Sequence, residues 1–331
     1  MAQTYKKAGV SIDAGEEVVR RIKKSVRGTF TKNVLTDIGM FGAFYEAKFT
    51  GIKNPVLVSS VDGVGTKLKI AFLMKRYGTV GQDLVNHCVN DIAVCGATPL
   101  YFMDYFATGK LSPRIAADVI GGFSKACKEN GCSIIGGETA EMPGFYATGE
   151  FDLAGTIVGI VDKKKIITGT SIRKGDVVIG LPSTGLHTNG YSLARHVLIP
   201  RFSLRKRIPE LRSTLGDTLL AVHRSYLKPI SALTHAGLVH GMSHITGGGI
   251  IGNTMRILPK GVRLKIDWLS WQRPYIFDFI QAAGTVPERD MVRTFNLGIG
   301  LVVIVSKKNA DRTIRILKSK KEKCFVIGEV A

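Results

Sequence analysis

Val56-Leu-Val-Ser-Ser-Val-Asp-Gly-Val-Gly-Thr-Lys-Leu-Lys69 decides how the rest of the chain is read. Behind the breaker Pro55, the apolar run Val56, Leu57 and Val58 predicts a strand that ends among small and polar residues. There Asp62 offers an oxygen ligand for a hard cation. Gly63 and Gly65 remove side chains that would hold a bulky anion off the backbone, and Thr66 and Lys67 add a hydroxyl and a positive charge. The loop reads as one metal ligand beside a phosphate cradle; an Asp-Gly-Val-Gly turn between strand and helix is also ordinary turn chemistry.

Two further segments repeat the pattern of an acid at the edge of an apolar element. Residues 78–96 place Leu84, Val85, Cys88, Val89, Ile92 and Ala93 on the apolar face of a predicted, largely buried helix, and gather Asp83, His87, Asn90 and Asp91 into one polar stripe. Such a stripe needs partners, which metal and phosphate would supply and so would solvent. Ser133-Ile-Ile-Gly-Gly-Glu138 is a short strand running into two glycines and a carboxylate, with Glu141 beyond. Asp62, Asp91 and Glu138 therefore come from separate elements, as a hard divalent cation beside nucleotide phosphates requires. The chain has neither a Gly-x-x-x-x-Gly-Lys-Ser/Thr loop nor a Gly-x-Gly-x-x-Gly fingerprint, which removes the P-loop and dinucleotide-binding readings.

In the second half, Gly185-Leu-His-Thr-Asn-Gly190 sets His187 and Asn189 on a loop rather than an apolar face, which favours a functional histidine. Thr246-Gly-Gly-Gly249 suits close backbone approach to a phosphate, or a flexible hinge. Helices are expected over 15–27, 113–130, within 223–238 and over 274–284; strands over 100–108, 152–162 and 294–305. Residues 1–13 read as a loop or arm.

At 331 residues the chain exceeds what one core normally supports, so two domains are expected, 1–170 and 171–331. With 45% hydrophobic and 22% charged residues, no uncharged run of about 18 and no apolar leader, the expectation is a cytoplasmic globular protein without membrane spans. Five cysteines without a Cys-x-x-Cys pair argue against a disulfide framework or a structural zinc site. The net charge is +20, and residues 171–331 hold 25 basic against 10 acidic side chains. The excess is scattered apart from Lys163–Lys165, Arg205–Arg207 and Lys318–Lys323. Without a reader motif or interleaved aromatics, nucleic-acid binding is not expected as the main role, and anionic small substrates fit better.

Taken in order, Asp62-Gly-Val-Gly-Thr-Lys, Val89-Asn-Asp-Ile, Gly136-Gly-Glu-Thr-Ala-Glu-Met-Pro-Gly, Gly185-Leu-His-Thr-Asn-Gly-Tyr-Ser-Leu, Thr246-Gly-Gly-Gly and Arg293-Thr-Phe-Asn closely resemble the aminoimidazole ribonucleotide synthetase family, from Tyr5 to Val330. The resemblance implies ATP-dependent ring closure of formylglycinamidine ribonucleotide, with ATP and Mg2+ as cofactors. It implies an α/β (α+β) fold of two domains: an N-terminal ATP-binding and dimerisation domain whose mixed or antiparallel sheet forms a barrel across a homodimer, and a C-terminal substrate-binding domain with a helix-covered mixed sheet. By motif match, Asp62, Asp91 and Glu138 hold magnesium. Lys23, Gly63, Gly65, Thr66, Lys67 and Asn90 surround the nucleotide, and Thr246 with Gly247, Gly248 and Gly249 takes the ribose phosphate. His187 and Asn189 orient the substrate or move a proton, and Lys67 joins them as a catalytic candidate. Val61, where the family commonly has Thr, and Arg273, in place of an apolar residue, depart from the pattern. Selenophosphate synthetase and thiamine monophosphate kinase are sibling readings. The former normally carries a reactive Cys near its start, whereas the first Cys here is Cys88, and the latter lacks the His187 loop.

Overall fold

A computed structural model of the protein describes Tyr5 and residues 7–331; the rest of the expected N-terminal arm lies outside the described residues. The chain divides into two compact units, Met1–Ile92 with Thr98–Asp162, and Ala93–Ala97 with Lys163–Ala331. The first unit thus ends at Asp162, ahead of the expected boundary at 170, and the second takes a short loan from the end of a first-unit helix.

The first unit opens with α1 (Ile12–Arg27), which starts earlier than the expected residue 15 because the Ser11 side chain accepts from the Ala14 amide and caps it. Strand β1 (Pro55–Gly63) leads through a 3-10 turn into α2 (Leu68–Met74) and α3 (Gly78–Ala93); β2 (Thr98–Thr108), α4 (Pro113–Asn130), β3 (Ser133–Glu141) and β4 (Phe151–Asp162) complete it. The strand order is β1-β4-β2-β3, antiparallel except for the β2–β3 pair. That parallel pair follows from the α4 crossover, since strands joined through a helix return in the same direction. Aromatic Phe102, Phe106 and Phe123 fill the side of the sheet that α3 and α4 cover. The opposite side is more open: along β1 exposed and half-buried residues alternate, leaving Leu57 61% and Val61 68% exposed, with Tyr105 of β2 exposed as well.

The second unit carries β5 (Val177–Pro182), α5 (Tyr191–Leu198), a two-residue hairpin pair β6 (Arg207–Ile208) and β7 (Ser213–Thr214), α6 (Leu215–Leu219), α7 (Leu227–His235), β8 (Val239–His244), α8 (Gly249–Thr254), β9 (Leu264–Ile266), α9 (Tyr275–Gly284), α10 (Glu288–Thr294), β10 (Ile299–Val305), α11 (Ala310–Ser319) and β11 (Phe325–Val330). Its main sheet runs β8-β10-β5-β11-β9. The expectation of a mixed sheet is corrected here: every adjacent pair is antiparallel. β10 inserts between β5 and β8, so those two strands never pair with each other and the directions alternate across the sheet.

β10 is the core of this unit. All seven of its residues are buried. Leu301, Val303 and Val305 point into a cluster with Ile230, Leu233 and Leu317, whereas Val302 and Ile304 join Ile250, Trp271 and Ile327 on the other face. At about 1.5–3 kcal/mol for each fully buried aliphatic side chain, this two-faced strand is a large share of the unit's stability. Arg273, the departure from the family pattern, is accommodated by Glu288, with which it makes a two-pronged ion pair, and by Gln281 Oε1 at 3.2 Å.

Candidate active site

In the first unit, Asp62 is the second-last residue of β1 and Asp91 lies near the end of α3, and His87 joins them. Its Nε2 is 2.8 Å from Asp62 Oδ2 and 3.7 Å from Asp91 Oδ2, and Ser60 Oγ donates to Asp91 Oδ2 at 3.3 Å. Burial works against a charged His87, but the hydrogen bond to Asp62 and the charges of Asp91, Asp62 and Asp83 outweigh it, and the imidazole's pKa is raised. Two carboxylates within reach of one buried ring nitrogen make a compact, negatively charged oxygen-donor pair, which suits a hard divalent cation. The stripe on α3 is buried rather than solvated: Asp83, His87 and Asn90 are all inside, with Asn90 next to Asp91.

The loop after β1 offers what the sequence suggested at some positions and not at others. Asp62 Oδ1 accepts from the Gly63 amide at 2.7 Å, Gly65 takes a left-handed φ of 67°, and Gly65 and Thr66 are exposed. Lys67 is different. Its ammonium turns inward, fully buried, and pairs with the equally buried Asp83 at 2.7 Å. Burial lowers its pKa, and Asp83 opposes that shift. In this structure the Lys67 ammonium is paired with Asp83 of α3 and does not face the exposed Gly65–Thr66 turn. Nothing local in the sequence reveals that the lysine meets a buried acid on α3, because Asp83 lies on a different element.

Glu138 also departs from expectation. Paired residues across a sheet share a face. One row of partners is Asp62, Gly155, Asp104 and Gly137; the next is Gly63, Ala154, Tyr105 and Glu138. Asp62 thus points to the helix side with His87, and Glu138, exposed, points to the open side from the far edge strand, about 14 Å away at roughly 4.8 Å per strand. A single chain does not bring Glu138 to the cation that Asp62 and Asp91 would share. Asp104, which sequence reasoning overlooked, is half-buried, and desolvation, with Glu138 adding, pushes its pKa up to about 7. Lys23 sits on α1, which packs on α4 and β3, and its ammonium is 3.1 Å from Asp37. Hydrogen bonding from Arg27, reinforced by Lys23, holds the Asp37 carboxyl well below the usual range.

The second unit brings its expected residues together. The 183–190 loop is pinned by Asn296, whose Oδ1 accepts from Ser183 Oγ at 3.0 Å and whose Nδ2 donates to Gly185 O at 2.8 Å. Phe295 occupies the space a side chain at Gly190 would need. The Arg293-Thr-Phe-Asn motif is thus the buttress of the loop. His187 lies on the loop, as expected, with a left-handed φ of 62°, and its ring is buried. Its Nε2 accepts from the Thr184 amide at 3.1 Å, and Gly300 leaves room for the ring. Asn189 is half-buried, and its Oδ1 lies 3.3 Å from where a side chain at Gly247 would begin, so the two glycine-flanked segments meet. Thr246–Gly249 is stapled from within by Asn253, whose Nδ2 donates to Thr246 O, Gly247 O and Gly249 O at 3.2, 3.2 and 2.9 Å. Gly248 and Gly249 both have positive φ, and a side chain at Gly249 would run into Val292 O.

These features define a two-domain α/β protein with a carboxylate pair and small-residue loop in one unit and two meeting glycine-rich polar loop segments in the other. Residues 47–161 match the N-terminal domain model, and residues 173–331 the C-terminal domain model, of the AIR synthase related proteins. The chain belongs to this family, and within it to the phosphoribosylformylglycinamidine cyclo-ligases. The curated relative of that name from Thermoanaerobacter pseudethanolicus is 54% identical over 328 residues, covering 98% of this chain and 97% of its own. The one from Desulfitobacterium hafniense is 49% identical over the whole of this chain and 97% of its own. Among solved structures, thiamine-monophosphate kinase from Stenotrophomonas maltophilia has a TM-score of 0.70 at 17% identity, covering 94% of this chain and 93% of that one. Hydrogenase maturation protein HypE in complex with ATP has a TM-score of 0.68 at 18% identity, covering 98% and 88%. These two likenesses show a shared fold. Among the described residues no helix is long and apolar enough to cross a membrane.

Proposed function

We infer that this chain is an ATP-dependent cyclo-ligase of purine biosynthesis, closing formylglycinamidine ribonucleotide to aminoimidazole ribonucleotide with release of ADP and phosphate. The observation that carries the reading is the near full-length likeness to relatives that bear this name.

The chemistry needs an amide oxygen made into a leaving group. Transfer of the γ-phosphoryl group to the formamide oxygen gives an imidate-like phosphate ester; the neighbouring amidine nitrogen attacks the same carbon, and phosphate departs. The protein's work is to align these atoms and neutralise charge. Asp62 and Asp91 would hold magnesium, which when bound supplies positive charge to the ATP phosphates. Gly63, Gly65 and Thr66 approach those phosphates, with Asn90 and Lys23 as further contacts. Thr246 and Gly247–Gly249 take the ribose phosphate, while Asn189 and His187 orient the base-forming end.

The protein works as a homodimer in this reading, its open first-unit face covered by a second copy. Leu57, Val61 and Tyr105 are the apolar groups such a contact would bury. Glu138 is presented on that same face, so it serves the partner's nucleotide site rather than its own Asp62–Asp91 pair. A soluble, cytoplasmic setting follows from the substrates. The direct test is to incubate the purified protein with formylglycinamidine ribonucleotide and MgATP and to assay the aromatic amine product together with ADP. Stoichiometric appearance of both is expected, and ADP without the amine, or neither from well-folded protein, rejects the assignment.

A further inference from the structure

His223 lies in the connection between α6 and α7, wholly buried. Its ring stacks on His187, with centroids 4.0 Å apart and planes 19° from parallel. Its two nitrogens reach in different directions: Nδ1 is 3.3 Å from Thr188 Oγ1, and Nε2 is 2.9 Å from His244 Nε2. Thr188 stands between His187 and Asn189, and its Oγ1 also accepts from Asn189 Nδ2 at 3.4 Å. His244 ends β8, two residues before Thr246. One imidazole therefore ties the 183–190 loop to the strand that delivers Thr246–Gly249.

Three clustered imidazoles, His187, His223 and His244, raise the question of a metal. The geometry speaks against one. In-plane lone pairs of stacked rings run side by side, whereas a tetrahedral cation needs them to converge at about 2.0–2.1 Å. The 2.9 Å separation of the two Nε2 atoms is that of an N–H···N hydrogen bond, one ring donating and the other accepting.

We propose that His223 is a positioning residue for the cyclisation, setting the spacing between the His187–Asn189 loop and the His244–Gly249 segment through Thr188 and His244 without itself touching substrate. This rests on the reading above that those two segments hold the ribonucleotide. Nothing in the sequence around His223 marks it, because its partners arrive from elements 21 and 35 residues away. The side chains that can replace part of it are known from shape: the amide of Asn reaches about as far as Nδ1, and that of Gln about as far as Nε2.

The test is steady-state kinetics of His223→Ala, His223→Asn and His223→Gln against both substrates. His223→Ala is expected to lower kcat/KM for the ribonucleotide by about 10- to 100-fold, mainly through KM, and to leave KM for ATP within about twofold of wild type. His223→Gln, which keeps the link to His244, is expected to recover about tenfold of that loss, and His223→Asn less. Should His223→Ala fail to fold, the Gln and Asn variants still decide. Equal kcat/KM in all folded variants, or a parallel rise in KM for ATP, overturns the proposal, as does an intense tetrahedral Co2+ spectrum that the Ala or Asn variant abolishes. Wild-type protein that makes no product overturns the parent reading, and this one with it; active wild type with indifferent variants overturns this one alone.

Discussion

The two sheets of this protein solve the same problem in opposite ways. In the second unit, β10 is buried on both faces and the five-stranded sheet is covered by α7 and α11 on one side and by α8 and Trp271 on the other. In the first unit the side beneath α3 and α4 is packed, whereas the other side is buried at Val158 and Ile160 of β4 but leaves Leu57 and Val61 exposed on β1. Exposed apolar residues on one stretch of a sheet face offer a surface that a further layer would cover. The difference teaches where a second copy of the proposed kind would bind, and Glu138 lies on that same, more open side.

The sharpest way to break this comparison is to put one charge in each sheet. Val303→Asp buries a carboxylate with no counter-charge, and is expected to cost more than about 5 kcal/mol and leave no folded second unit, read by circular dichroism and limited proteolysis. Val61→Asp should leave the fold intact and, if the proposed dimer forms through this face, convert it to monomer in light scattering. A Val61→Asp protein that remains dimeric would disconnect the open face from assembly.

Next in size is the buried pair inside the first unit. Lys67→Met removes one partner of the Asp83 ion pair and is expected to lower stability by about 3–5 kcal/mol in urea unfolding. Lys67→Met with Asp83→Leu should recover most of it, because two apolar groups leave no stranded charge. Were Lys67 instead a surface phosphate ligand, the single change would leave stability unaltered and raise KM for ATP alone.

Smaller still is the effect of Asp104. Its carboxyl has a pKa of about 7 in the folded chain against 3.8 ordinarily, so the folded state holds the proton more tightly than the unfolded one. A raised pKa favours folding below the unfolded value, and that advantage is lost as pH rises from about 4 through about 7. Asp104→Asn should therefore flatten this slope and gain about 2 kcal/mol at pH 8, allowing for solvent at a half-buried group. An unchanged pH–stability profile would contradict the shift.

Much of this architecture could be read from the chain. Helix α4 spans Pro113–Asn130, the range expected, and helical spacing on α3 grouped Asp83, His87, Asn90 and Asp91. What escaped has a common physical cause, contact between distant segments. β3 was expected to end at Gly136–Gly137, yet pairing with β2 carries it on to Glu141. Within that pairing Ile134 faces Phe102 and Gly136 faces Met103, so Ile135 is an extra residue. One inserted residue turns every later side chain to the other face, so this bulge, added to the strand order that already separates β3 from β1, turns Glu138 away from Asp62. Local spacing carries no trace of it. His87 was visible as part of a stripe, but its place between two carboxylates depends on β1 arriving beside α3.

The central claim joins the cyclisation to a site completed by two copies, and one measurement reaches both. Asp62→Asn and Glu138→Gln proteins, each expected to have lost turnover by about 100-fold or more, are unfolded together, refolded as mixed dimers and assayed for aminoimidazole ribonucleotide. If Glu138 serves the partner's site, half the dimers are mixed and each regains one intact site, restoring about a quarter of wild-type activity. Mixed dimers no more active than either parent would contradict the account.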